Sequence, residues 1–248
     1  VKGVFDGAYM YHGFLQGKVK LSQIAHLPFI NVDAKGSSVA LWRTYERYFA
    51  KADEYHDVQL LSLFTFPGGP IYSMHEPIKA KSQLAGIKVY SVAGNTAEML
   101  QTTGAGMVVA PAARSYEIIS GGTVDAFAGY PLYSATAFHT IQYAKSITDI
   151  PGQMSAPSFA LFVNKKRWNA IPEADRKIVM SLSGEAFAAR LAAIDKLEEK
   201  LRQDAAARGV PFLKADDSLM DSLRQFGGKL QHDWLAAAAE RGVDGEAA

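Results

Sequence analysis

The sequence has no cysteine among its 248 residues, which excludes disulfide bonds, thiolate metal sites and cysteine nucleophiles together. Net charge is almost missing too. Lys plus Arg number 26 against 25 Asp plus Glu, a formal +1, so no strong field draws the chain to nucleic acid or to an anionic membrane. Long apolar runs are lacking. Residues 156–163 fall well short of the ~20 that a membrane helix needs, and no leader segment stands at the start, so the reading is a soluble chain that is not membrane-inserted.

The usual catalytic signatures are also absent: no phosphate-binding Gly-x-x-x-x-Gly-Lys-Ser/Thr loop, no His-Glu-x-x-His helix, no Gly-x-Ser-x-Gly elbow and no Gly-x-Gly-x-x-Gly fingerprint. The histidines, His12, His26, His56, His75, His139 and His232, never recur at i, i+4, the spacing that sets two of them on one helix face. No metal site and no cofactor is expected. Asp6 and Asp125 stand in similar contexts beside strand starts and read as turn residues more readily than as paired acid and base.

What is present is a hydrophobic content of 48% against 21% charged residues, enough for one large domain or two medium lobes. Residues 1–10 read as a turn running into a strand. Residues 58–66 suit a buried strand of a parallel sheet, ended by Pro67-Gly68-Gly69-Pro70. Strands over 87–92, 107–110 and 124–128 alternate with helices over 96–103 and 111–120, the first capped at Asn95-Thr96 and the second opened by Pro111. A strand over 158–163, a helix from 173 to about 208, a short strand over 210–214 and a helix over 217–241 complete an α/β pattern. The helix from residue 173 carries no proline and would run roughly 50 Å, long enough to bridge two lobes.

Aromatic side chains cluster after the expected strands: Tyr9, Tyr11 and Phe14, then Phe66 and Tyr72, then Tyr90, then Phe127, Tyr130 and Tyr133. Open α/β sheets bind ligands beyond the carboxyl ends of their strands, so such rings can converge on one crevice, burying apolar ligand area while a phenol hydroxyl fixes orientation. Tyr90 and Phe127 are expected to face the ligand, whereas Phe14, Phe66 and Tyr133 are expected to fill core.

Several segments, in order and across nearly the whole chain, resemble the solute-binding subunits of TRAP transporters, the DctP family. They are Gly3-Val-Phe-Asp6-Gly7-Ala8, Leu27-Pro28-Phe29, Leu84-Ala-Gly-Ile-Lys-Val-Tyr90, Pro111-Ala-Ala-Arg-Ser-Tyr116 with Gly122-Thr-Val-Asp125, and Ser158 through Asn164 to Trp168 and Pro172. The resemblance implies a two-lobed periplasmic-binding-protein-like α/β fold, with crossing strands and a long helix spanning both lobes. It divides the chain into lobe I over 1–64, lacking the family's first strand-helix-strand unit, lobe II over 65–152, a crossover strand and long helix over 153–200, and a C-terminal part over 201–248, mainly in lobe II. It further implies capture of a small-molecule solute between the lobes and delivery to TRAP membrane permease subunits, in the periplasm and without catalysis.

Two departures bear on the solute. Tyr90 stands where typical members carry an arginine that forks onto a substrate carboxylate, and Pro70 where some carry another. Arg114 opens a helix where the family often has Glu; it reads as an exposed helix arginine more readily than as a replacement cation, and is kept among the candidate ligand contacts. The expected ligand is therefore an acid-bearing organic solute with an aromatic or apolar body, contacted by Tyr11, His12, Tyr72, Tyr90, Arg114, Phe127 and Tyr130. A ligand-sensing domain of a signalling system, and a two-lobed enzyme using Asp125 or Asp6 with a histidine, are the alternatives.

Overall fold

The computed structural model describes residues 5–15 and 17–248; the turn expected over residues 1–4 lies outside them. Strand β1 (Gly7–Tyr11) leads through two 3-10 segments to helix α1 (Ala34–Thr44). Asp33 caps α1 by accepting the backbone N–H of Gly36. Strand β2 (Val58–Thr65) follows, buried from Leu60 onward because its apolar side chains are covered on both faces.

The chain then builds a second sheet from β3 (Ile71–Ser73), β4 (Lys88–Ser91), α2 (Asn95–Gln101), β5 (Gly106–Val109), α3 (Ser115–Ser120), β6 (Ala126–Ala128), α4 (Leu132–Ala137) and β7 (Ser146–Asp149). Strand β8 (Ser158–Asn164) crosses back to the first lobe. Helices α5 (Lys165–Ala170), α6 (Glu173–Leu182), α7 (Gly184–Ala188) and α8 (Ala192–Ala207) come next, then β9 (Phe212–Lys214) and α9 (Asp217–Ala239).

The first lobe is a three-stranded sheet in the order β1-β8-β2, and both pairings are antiparallel. This corrects the expectation of a parallel sheet around residues 58–66. Burial on both faces produces the same continuous apolar run whatever the direction of the neighbour, so the run alone does not fix direction. The second sheet is mixed, in the order β5-β4-β6-β3-β7-β9, with β5, β4 and β6 mutually parallel and β3 antiparallel to both of its neighbours.

Alternation sorts the second sheet's side chains to its two faces. Ile71, Val89, Ala126 and Ala128 pack beneath Met99 and Leu100 of α2 and Leu219 and Leu223 of α9. Tyr72, Tyr90 and Phe127 point the other way, onto Ile119 of α3, Leu132 and Ala135 of α4 and Ala205 of α8.

The single helix expected over residues 173–208 is instead broken. Its first part ends at Leu182, Ser183 is extended, and Gly184 takes a left-handed φ of 57°. A Cβ at Gly184 would lie 2.8 Å from the Trp42 ring, so the break lets the chain pass close against the core of the first lobe. The span between lobes survives the break. Leu191 packs with Ala34 and Phe64 of the first lobe, while Ala205 and Leu201 pack under the second sheet. Along α8, Asp195 accepts the Ala34 and Lys35 N–H groups at the start of α1, at 2.7 and 3.0 Å. One turn on, Glu198 accepts those of Leu132 and Tyr133 at the start of α4. The C-terminal helix also serves both lobes: Leu219 and Leu223 belong to the second, while Trp234 packs with Leu21 and Phe49 of the first and donates its indole N–H to the Leu21 carbonyl at 3.2 Å.

Candidate functional site

A cleft of about 520 Å³ opens where strand ends of the two sheets meet. From the second sheet it takes the residues just past three parallel strands: Val92 and Ala93 after β4, Ala110 to Ala112 after β5, and Gly129 to Pro131 after β6. From the first come Tyr9 and Tyr11 of β1, Phe14, Phe66 beyond β2, and Pro157 and Phe159 at the start of β8. Tyr133, Ser134, Ala137 and Phe138 of α4 and its C-terminal end supply one more wall.

The rings hold one another in place. Phe159 is the hub, 5.8 Å from Tyr9, 5.6 Å from Tyr11 and 5.1 Å from Phe66, and Phe66 meets Tyr133 edge-on across the lobes at 5.9 Å. Tyr9 and Phe14 are 63% and 64% exposed, so their faces are open to a bound molecule. The cleft can therefore stack an aromatic body, with phenol and Ser134 hydroxyls to orient a polar substituent.

Of the residues singled out in the sequence, Tyr11 and Tyr130 line this cleft. Tyr72, Tyr90 and Phe127 do not: all three are fully buried, stacked or tilted with Tyr130 in the core beneath α3 and α4. The reason is positional. These three sit within strands of the second sheet, where side chains stand perpendicular to the sheet and meet the covering helices, whereas the part of the cleft wall lent by β4 and β6 comes from residues past their ends. The Tyr90 hydroxyl is directed at the Ala110 and Pro111 carbonyls, at 3.2 and 3.3 Å, and so braces the wall from behind. Desolvation pushes its pKa up to about 12. Phe14, Phe66 and Tyr133, expected as core, are on the wall. They lie at a loop or helix start whose position relative to the cleft depends on the packing of the two sheets.

Arg114 is outside the cleft. Its guanidinium forks onto Glu117 at 3.2 and 3.1 Å on the exposed side of α3, and this pairing raises the arginine pKa and lowers the glutamate's. An exposed i, i+3 pair of this kind does little for stability, and neither of its residues is on the cleft lining. Arg114→Ala is expected to leave ligand affinity within about twofold of wild type by calorimetry; a tenfold loss would place the guanidinium in the binding path.

His12 lies beneath the cleft floor with no exposed surface. Its Nδ1 is 2.8 Å from Ser158 Oγ and its Nε2 2.8 Å from the Tyr55 hydroxyl, which donates to Ser22 Oγ at 2.8 Å. On the other side of Ser158 stands His26, with its Nε2 2.9 Å from the same hydroxyl and accepting the Ser158 backbone N–H at 3.2 Å. The His26 ring stacks on Tyr11 at 5.4 Å, so this network supports a cleft residue from below. In the sequence His26 reads only as a lone histidine, since Ser158, the partner of its ring nitrogen, is 132 residues away along the chain.

The carboxylates of the alternative enzymatic reading are apart. Asp6 pairs with Arg167 in the first lobe at 2.8 Å, and Asp125 receives the Lys88 N–H in the second at 2.8 Å. His75 stands 3.8 Å from Asp125 on the surface, beyond hydrogen-bond reach and away from the cleft. Among the described residues no group of three or more His, Asp or Glu could hold a metal, and no helix is long and apolar enough to cross a membrane.

Residues 1–232 match the family described as bacterial extracellular solute-binding protein, family 7, DctP. A protein of Comamonas testosteroni described as outer membrane transporter protein TsaT is 51% identical over 247 residues, covering 100% of this chain and 73% of that one. Among solved structures, a TRAP periplasmic solute-binding protein from Bordetella bronchiseptica with bound (R)- and (S)-mandelate has a TM-score of 0.90 at 29% identity, covering 99% of this chain and 78% of that one. One from Rhodoferax ferrireducens, in complex with copurified benzoate, has a TM-score of 0.85 at 22% identity over 98% and 76% of the two chains, a likeness of fold.

Proposed function

The chain belongs to the DctP family of TRAP-type extracellular solute-binding proteins, and we propose that its interlobe cleft captures an aromatic organic acid for a TRAP membrane permease. The observation that carries the aromatic body of the ligand is the lining itself, in which Tyr9, Tyr11, Phe14, Phe66, Tyr133, Phe138 and Phe159 all face one cavity of about 520 Å³. A wall of this kind gains most from a flat apolar body, and an aliphatic dicarboxylate would leave the rings without a partner. The mandelate held by the Bordetella bronchiseptica relative supports the same class.

Capture rather than catalysis is the reading supported by the family and by a cleft lining that, among the described residues, holds no Asp, Glu or His. Burial pushes the Tyr11 phenol up to about 12 and raises that of Tyr130 further, so both stand as neutral hydrogen-bonding groups at ordinary pH. As neutral groups they can orient a ligand by donating or accepting a hydrogen bond. Delivery then depends on the loaded arrangement of the lobes differing from the empty one in its affinity for the permease.

Thermal-shift and calorimetric titrations with (R)-mandelate, (S)-mandelate, benzoate and succinate test the ligand class. A ring acid at a hundred times its Kd should stabilise the protein by about 2.7 kcal/mol and raise the melting temperature by about 5–10 °C. Tight binding of succinate with no response to any of the three ring acids would overturn the aromatic reading.

A further inference from the structure

The turn after β4 carries two contacts that reach out of the second lobe to the first. The Tyr11 hydroxyl of β1 is directed at the Ala93 carbonyl at 3.4 Å. Two residues on, the Asn95 side-chain amide donates to the His26 carbonyl at 2.8 Å. The two receiving points on the first lobe are themselves joined, because the Tyr11 and His26 rings stack at 5.4 Å with 29° between their planes. Beneath the stack, His26 is bound to Ser158, and Ser158 belongs to the strand that crosses between the lobes.

Backbone geometry keeps this place open to close contact. Gly94 has a φ of 129°, and a Cβ there would lie 3.2 Å from the Tyr11 hydroxyl. A Cβ on Gly13 would sit 2.1 Å from the Tyr11 ring. Glycine at position 13 leaves room for the Tyr11 ring beside His26, and glycine at position 94 leaves room for its hydroxyl at the turn. Tyr11 is thus at once a wall of the cleft and a partner of the opposite lobe.

We propose that Asn95 and His26 are positioning residues for ligand capture, forming with Tyr11 a cross-lobe fastening that holds the aromatic cleft in its binding geometry. The inference rests on the reading of the cleft as the ligand site. A ligand that stacks on Tyr11 loads this fastening directly, and a fastening that is lost lets the lobes sample arrangements in which the walls no longer converge. Apparent affinity then falls by the fraction of molecules still in the competent arrangement.

The test exploits the absence of native cysteine, which allows site-specific spin labels at Lys51→Cys in the first lobe and Gln101→Cys in the second. Interlobe distances in the ligand-free protein and stopped-flow release of (R)-mandelate are measured for wild type, Asn95→Ala, Asn95→Asp and Asn95→Gln. Loss of one cross-lobe hydrogen bond should widen the distance distribution in the alanine and aspartate variants and speed release about fivefold to tenfold. Aspartate keeps the shape but has no N–H to donate, so it should behave as alanine does; glutamine retains the donor and should restore at least part of the effect. Melting temperatures within about 5 °C of wild type, the shift that loss of one hydrogen bond entails, separate this outcome from general loosening. Unchanged distances and release in all three variants would overturn the fastening. If wild type binds none of the ring acids, the ligand class fails while the distance measurement still decides the fastening.

Discussion

Phe127→Ala is expected to lower the free energy of unfolding by about 3–5 kcal/mol. The ring is fully buried and stacked at 4.5 Å on Tyr72 with 10° between the planes. Around it stand Tyr90, Ile119, Leu132 and Ala205, from four different elements, so alanine would leave a void that no single side-chain movement can close. Urea unfolding reads the loss directly. In the temperature range where the variant stays folded, (R)-mandelate affinity should remain within a few fold of wild type, because the ring lies beneath α3 and α4 and not on the cleft wall. A variant of wild-type stability with abolished binding would return Phe127 to the ligand.

Acid should weaken the protein from about pH 6.5 downward. Burial lowers the His12 pKa to about 3, aided by the charge of its neighbour His26, and lowers that of His26 to about 4, both from an ordinary 6.5. In the unfolded chain both rings take up protons as the pH falls through 6.5, whereas the native rings remain neutral until far lower. The unfolded state therefore binds more protons across the window from about 6.5 to 4, and stability present above pH 6.5 is lost as the pH drops. Each ring contributes a loss of about 1.4 kcal/mol per pH unit, or about 2 kcal/mol at pH 5. Urea midpoints at pH 7 and pH 5 measure the sum, and His26→Gln should remove about half of the slope. Equal midpoints at the two pH values would mean that the rings are hydrated in the native protein.

How these features read from the sequence depends on how local their causes are. Residues 87–92, 107–110 and 124–128 announce strands because β-branched and apolar side chains run between turn residues, and β4, β5 and β6 occupy those stretches. The rule that ligands lie past the carboxyl ends of parallel strands also locates the cleft, at Val92, Ala110 and Tyr130. Which aromatic residue reaches it is a finer matter. Tyr90 is the last but one residue of a strand, whereas Tyr130, between Gly129 and Pro131, lies two residues beyond one. That difference of a few residues is the uncertainty with which strand ends are read.

Other features are set by distant partners. The break at Ser183-Gly184 depends on Trp42, some 140 residues earlier, and a glycine inside an apolar periodic stretch does not announce such a contact. The direction of β2 is fixed by β8, which lies about a hundred residues downstream. Likewise, His12 and His26 look like scattered histidines until Ser158 is placed between them.

The two carboxylates on α8 constrain what movement of the lobes can look like. Asp195 holds the start of α1 and Glu198 the start of α4, and three residues of helix separate them by only about 4.5 Å along its axis. Both lobes are thus pinned almost at one point. Pulling them straight apart would strain both pins, whereas swinging one about that point leaves the two carboxylates in place. Such a joint behaves as a pivot, and because Tyr133 is both held by Glu198 and part of the cleft wall, a turn there redirects that wall with no further linkage.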